Sequence, residues 1–275
     1  MRDPISRIRY VYPLYAEEVH LVTTKESGIA SLRDLRGRRV SVGPLESGTF
    51  LTAKMILWLT QTTVKEVAID ETTSLHRLLL PADSPDRIDA MFYVVGKPVA
   101  LFDGQSGLTS RLDLVPIAEA PVLRKYKPTQ ITPQDYSWLK RTVETVKVGS
   151  VLMTFDYAGI NCQNVGMVAN RIAVNLEELR EKIGHPKWRE VDLKASVPNW
   201  SAYSCVEKYR HSTVTTGSDE RLCRFYPSAG NKPGSPVTTG QAKEGREEAD
   251  ACANAKSVDN PIVKSICRNF EKLGQ

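Results

Sequence analysis

Apolar and polar positions change their period along the chain, and the changes outline its elements. Ile8 to Tyr12 and Val19 to Thr23 alternate as strands, with a short turn between them. From about residue 27 the pattern switches repeatedly between strand and helix. Ser31 followed by Asp34 predicts a capping box that opens a short helical turn, closed at Gly37. Arg39 to Gly43 reads as a short strand, and Thr49 to Leu59 as a helix with Phe50, Ala53, Ile56 and Leu57 at helical spacing. Lys65 to Asp70 reads as a strand. Thr73 or Ser74 is then expected to cap a helix that Pro81 stops. Ile88 to Val95 is nearly continuously apolar, as in a strand buried on both faces. Pro98 at a first helical turn, a strand from Leu112 to Ile117 and a helix from Pro121 to Tyr126 complete a βαβα succession. That succession predicts an α/β fold with a mostly parallel sheet flanked by helices.

Residues 127–140, rich in Pro, Thr and Gln, read as a connection, and Lys147 to Phe155 as a strand. Beyond them Val165, Val168, Ile172, Leu176, Leu179 and Ile183 recur at three and four residues, predicting one long amphipathic helix. Gly184 and Pro186 supply its stop. After Trp200 the composition turns loop-like, and only Glu247 to Ala255 and Pro261 to Leu273 look helical. No internal repeat is present.

Charge and cysteine content narrow the picture. A net charge of +5 is spread among interspersed acidic and basic residues, so no nucleic-acid partner is expected. No apolar run reaches the ~18 residues of a membrane span. The first residues have no apolar core or cleavage site of a signal peptide, and they begin within a strand pattern. The expectation is a fragment, a processed chain or a late start codon. Cys162 stands apart, whereas Cys205, Cys223, Cys252 and Cys267 gather in the last quarter of the chain without a Cys-x-x-Cys pair. A zinc ribbon is therefore not expected. Two disulfides among those four, in an oxidising compartment, are expected instead, with three pairings open.

The strand Arg39 to Gly43 leads through Pro44, Leu45 and Glu46 into Ser47-Gly48-Thr49 and a helix. Such a junction offers free backbone N–H groups, two hydroxyls and the positive end of a helix dipole, which suits a carboxylate or phosphate. The same residues also serve a helix as simple caps. Neither Gly-x-x-x-x-Gly-Lys-Ser/Thr nor Gly-x-Gly-x-x-Gly occurs, so nucleotide binding has no support. His20, His76, His185 and His211 lack metal-ligand spacing, no Gly-x-Ser-x-Gly elbow is present, and Cys162 reads as a core residue. No catalytic residue, metal or cofactor is expected. Phe92 and Tyr93 read as strand-core aromatics, placed where α/β sheets commonly carry ligand groups.

Taken in order, these segments resemble the TAXI family of TRAP-transporter solute receptors. The likeness rests on Leu14-Tyr15-Ala16-Glu17 with Val19-His20, and on Gly28-Ile29 with Asp34-Leu35 and Gly37. It continues through Ser47-Gly48-Thr49, Asp89-Ala90-Met91-Phe92 with Gly96 and Pro98, Ile131 to Tyr136, and His185-Pro186. The resemblance implies a periplasmic-binding-protein clamshell of two α/β lobes with a first lobe that is incomplete here. It assigns residues 1–25 to hinge strands and a remnant of the first lobe, 26–128 to the second lobe, 129–200 to the return to the first, and 201–275 to a cysteine-containing extension. It implies ligand contacts from Ser47, Gly48 and Thr49, with Phe92 and Tyr93 near the same cleft and Tyr15 and Glu17 in the interlobe crossing. It further implies a periplasmic address, a small anionic metabolite as ligand and a TRAP permease as membrane partner. Glu46 stands where the family has a Gly, and would repel an anion or select one that also carries an amine. A diverged relative that binds nothing and self-associates through its incomplete lobe is the alternative. An intracellular sensor or an enzyme on the same fold is another.

Overall fold

The computed structural model describes residues 4–102 and 109–209. The chain divides into two units, 1–214 and 215–275, and all described residues belong to the first. Cys223, Cys252 and Cys267, and the helices expected at 247–255 and 261–273, lie outside the described residues.

Strand β1 runs unbroken from Ile8 to Thr24, so the turn expected after Tyr12 is absent. Two register irregularities, between Tyr10 and Tyr12 and between Pro13 and Ala16, take its place. Pro13 has no N–H to give a ladder, and a bulge lets the strand continue past it. The N-terminal half of β1 pairs antiparallel with β7, Val143–Phe155, while its C-terminal half pairs antiparallel with β4, Ala90–Val95.

The remaining strands are β2 (Arg39–Ser41), β3 (Lys65–Val67), β5 (Leu112–Leu114) and β6 (Lys127–Ile131). Seven strands form one sheet in the order β3-β2-β4-β1-β7-β6, with β5 beside the end of β1. Parallel pairing is confined to β2 with β3 and β2 with β4. The sheet is therefore mixed rather than mostly parallel, because the long β1–β7 ribbon is antiparallel. Residues 127–131, expected as connection, supply the outermost strand, where Pro128 is tolerated on an edge.

Helices α1 (Gly48–Leu59), α2 (Glu71–Leu78) and α3 (Ala120–Leu123) cover the sheet. On one face Val19, Leu21 and Phe92 pack with Ala53 and Ile56 of α1. On the other, Val22 and Met91 pack with Leu78, Ile88, Phe102 and Tyr136. The capping box of Ser31 and Asp34 forms as its spacing predicts. For α2 the cap is Asp70, not Thr73 or Ser74. Its carboxylate accepts the Thr73 N–H at 2.9 Å, and this bond with that from the Thr73 hydroxyl holds the Asp70 carboxyl below its usual range.

The expected long helix is divided. It comprises α4 (Gly159–Val174), a short α5 (Leu176–Glu178) and a π turn over Leu179–Ile183, after which Gly184 and Pro186 end it as anticipated. Val165 and Ile172 pack on a third cluster with Val11, Tyr12, Ala169 and Tyr203, whereas Val168 stays exposed. The fold continues past Trp200. Tyr203 is buried, and α6 (Ser204–Tyr209) lies on α4. Cys205 is bonded there to Cys162, 43 positions earlier. The expectation that Cys205 pairs within the tail, and that Cys162 is an unbonded core residue, is corrected by the fold, which brings the two helices together.

Candidate functional site

The parallel strands β2 and β4 end at the same edge of the sheet, and α1 and α2 begin there. Crevices at the carboxyl ends of parallel strands are where α/β sheets place ligands. The turn from β2 into α1 is tight. Gly43 has φ +82°, and a Cβ on it would lie 2.7 Å from Cγ2 of Thr49, so glycine alone fits. Glu46 is at φ 66°, a left-handed conformation that a side chain disfavours by roughly 1–2 kcal/mol. A glycine at that place would adopt it freely, which is the physical sense of the Gly in the motif this loop resembles.

The hydroxyls of Ser47 and Thr49 both have structural partners. Ser47 Oγ accepts the Phe50 N–H at 3.1 Å and donates to the Pro44 carbonyl at 2.7 Å, capping α1. Thr49 is buried, and its Oγ1 accepts the Val94 N–H at 3.1 Å, pinning the start of α1 to β4. Gly48 is exposed with open space around it. What the junction leaves toward solvent is the backbone of Gly48 at the positive end of a 12-residue helix, two positions after the exposed Glu46.

Phe92 and Tyr93 diverge. Phe92 is fully buried beneath α1, so its expected place near the cleft is corrected: adjacent strand residues point to opposite faces. Tyr93 is half-buried on the other face, edge-on to Phe102 at 6.1 Å. Burial raises its phenol, and the negative charges of Glu71 and Glu17 raise it further.

Tyr15 and Glu17, expected in the crossing, are half-buried on β1. Burial and the neighbouring Glu18 raise the Glu17 carboxyl. Tyr15 stacks on His185 with centroids 5.9 Å apart and meets Trp188 edge-on at 6.1 Å. Gly96, at the end of β4, has no Cβ to obstruct this packing: one there would come within 3.2 Å of Tyr15 and 3.1 Å of Lys187.

Beneath them is a group that sequence patterning did not single out. Glu18 and Lys187 are both buried, with Oε1 and Nζ 2.8 Å apart. The other Glu18 oxygen accepts the Lys97 N–H at 3.1 Å, and Lys187 also pairs with Glu190 at 2.8 Å. Burial opposes the charge on Lys187, but the hydrogen bonds it donates to Glu18 and Glu190 prevail and raise its pKa. His185 Nδ1 accepts the Lys187 N–H, which leaves Nε2 to donate to the Pro98 carbonyl at 2.9 Å. The only sequence signal nearby was His185-Pro186; Glu18 looks like one surface charge among many. Two charges buried in this way join β1, the turn after β4 and the 185–190 turn.

His20 lies in the same core. Its Nδ1–H donates to the Glu18 carbonyl at 3.1 Å, and Nε2 accepts from the Tyr136 hydroxyl at 2.8 Å. Burial lowers its pKa to about 4. Among the described residues no group of His, Cys, Asp or Glu is arranged to hold a metal. No described helix is long and apolar enough to cross a membrane.

The model of the NMT1-like family matches residues 1–182. Among solved structures, one from Streptococcus mutans concerned with glutathione import via GshT and the cystine ABC importer TcyBC is similar. It has 15% identity and a TM-score of 0.38, over 66% of this chain and 64% of that one. The amino acid ABC transporter substrate-binding protein AbpA of Streptococcus pneumoniae, bound to L-arginine, is 13% identical with a TM-score of 0.37, over 69% and 64%. An arginine third transport system periplasmic binding protein of Legionella pneumophila is 12% identical with a TM-score of 0.38, over 66% of each chain. The chain thus spans 64% of the length of the first two proteins. At these scores the likeness is partial and fixes neither ligand nor partner.

Proposed function

From the premise that this chain belongs to the NMT1-like family, we propose that it is an extracytoplasmic solute-binding subunit of a membrane transporter, binding a small carboxylate without catalysis. The observation that carries this reading is the open start of α1. An exposed Gly48 backbone lies at the positive end of a long helix, at the carboxyl edge of parallel strands. Glu46, two positions before Gly48, and the charges of Glu71 and Glu17, which act on Tyr93, favour a ligand that bears an amine beside its carboxylate, as glutamate-like acids do. The order of sequence motifs supports a TRAP-type permease as receiver. The disulfide between Cys162 and Cys205 supports an oxidising, periplasmic address.

Calorimetry on the full chain with glutamate, dicarboxylates, arginine and glutathione tests the proposal. Saturable binding of at least one carboxylate is expected, and silence across that panel would sink it. Glu46→Gly gives the sign: a simple dicarboxylate should bind more tightly once the like charge is gone.

The second reading, a non-binding interaction protein, is favoured by one observation. Val168, Ile160 and Val174 of α4 and Met153 and Phe155 of β7 leave apolar side chains exposed around the third cluster. That is the surface through which this reading has the chain self-associate.

A further inference from the structure

The ladder between β2 and β4 is short. It pairs Val40 with Ala90 and Ser41 with Met91 and ends there, while β4 runs on to Val95. The Val94 N–H therefore lies past the last residue of β2, and among the described residues no strand offers it an acceptor on that side. Thr49 does: its hydroxyl accepts this N–H at 3.1 Å, across 45 positions of sequence. The methyl of the same side chain fills the space over Gly43, where a Cβ would lie 2.7 Å from Cγ2. Both branches of a buried Thr49 are thus used, one against β4 and the other against the turn out of β2. Ser47, by contrast, bonds to Pro44 and Phe50 and shapes the first turn of α1 from within it.

We propose that Thr49 is a positioning residue of the carboxylate site: without touching the ligand, it holds the first turn of α1, and with it the Gly48 N–H, at a fixed place on the sheet. This role rests on capture of a carboxylate at Gly48, as proposed above, and takes the place of the direct ligand contact implied by the family motif. A donor held in advance at its bonding position loses less freedom when the ligand arrives, so affinity depends on the tether. The side chain's chemistry makes the role specific. Serine keeps the acceptor. Valine keeps the shape and the methyl packing but leaves the part-buried Val94 N–H without a partner, which destabilises that arrangement.

Two measurements on the full chain separate the tether from the site. Amide hydrogen exchange without ligand reads the tether. Thr49→Val should speed exchange at Val94, Phe50 and Leu51 by at least about tenfold, with Leu21 and Phe92 as in wild type. Thr49→Ser should leave all five near wild type. Calorimetry with L-glutamate, or with the panel member that wild type binds most tightly, reads the consequence. Thr49→Val should raise Kd by at least about tenfold and Thr49→Ser by less than about threefold. Thr49→Ala also lacks the acceptor and should lose affinity likewise, which keeps the test alive if valine is not accommodated. Ser31→Ala removes the capping box of another turn and lowers stability, yet should leave Kd unchanged. Equal affinity of wild type and Thr49→Val overturns the proposal, as does an equal loss in Thr49→Ser or Ser31→Ala, or unchanged exchange at Val94. A wild-type chain silent toward the whole panel, with Val94 still responding to Thr49→Val, overturns it through its premise: the tether then exists without the carboxylate site.

Discussion

Two buried polar residues on β1 carry most of what single side chains decide here. His20 is neutral in the native state because burial lowers its pKa from 6.5 to about 4. The unfolded chain takes up a proton as pH falls below 6.5, whereas the folded chain does not until about pH 4. The stability His20 contributes is therefore complete above pH 6.5 and is lost as pH falls to about 4. That window corresponds to about 3 kcal/mol. Urea unfolding across this range should show the loss, and His20→Gln should flatten that limb of the curve. The Glu18–Lys187 pair makes a different demand. Lys187→Met leaves a carboxylate buried with a single backbone donor, and should cost about 3–5 kcal/mol in chemical denaturation. If the pair is instead dispensable to the packing of the 185–190 turn on β1, the variant will unfold within about 1 kcal/mol of wild type.

At the scale of elements, α1 shows both what the sequence made readable and where it stopped. Its end at Leu59 and its core face followed from period and residue type alone, and of the two capping candidates, Ser47 and Thr49, the fold uses Ser47. The capping box of Ser31 and Asp34 and the stop at Gly184 and Pro186 followed in the same way. These features depend on neighbours a few positions away. What escaped was set by distant partners. The β1 bulges replace a turn because β7 is present to pair on both sides of Pro13. β6 is a strand only because β7 offers it an edge. The bond of Cys162 to Cys205 depends on α6 returning to α4, which no spacing announces. The candidate site was half readable for the same reason. Ser47 to Thr49 stood out as a local motif, but the buried roles of Thr49 and Phe92 and the charges beneath Tyr15 required the fold. The cap has a measurable share: Ser47→Ala should lower stability by about 1 kcal/mol in urea unfolding. It should leave ligand affinity nearly unchanged, since the Ser47 hydroxyl is already occupied by Phe50 and Pro44.

On the scale of the whole unit, the three apolar clusters are not equivalent. Two lie back to back on the faces of the central strands and share β1 and β4 through alternating residues, Leu21 and Phe92 on one side, Val22 and Met91 on the other. Neither can open without exposing the other. The third gathers around the outer ends of β1 and β7 and is closed by α4 and α6, which one disulfide joins. A cross-link over 43 positions removes chain entropy worth roughly 4 kcal/mol from the open state. That is large for a cluster whose helix leaves Ile160, Val168 and Val174 in water. Local stability should follow this division. Native-state hydrogen exchange is expected to show the slowest amides in Val19–Thr24 and Ala90–Phe92, and markedly faster ones in α4 and α6. Replacing Cys162 and Cys205 with Ser should accelerate exchange in α4, α6 and the Ile8–Tyr12 end of β1 by a large factor. The central strands should exchange as before. Uniform acceleration across all three clusters would instead mean that the sheet and its α4–α6 cover unfold as one, and that the long β1–β7 ribbon couples the two ends of the unit rigidly.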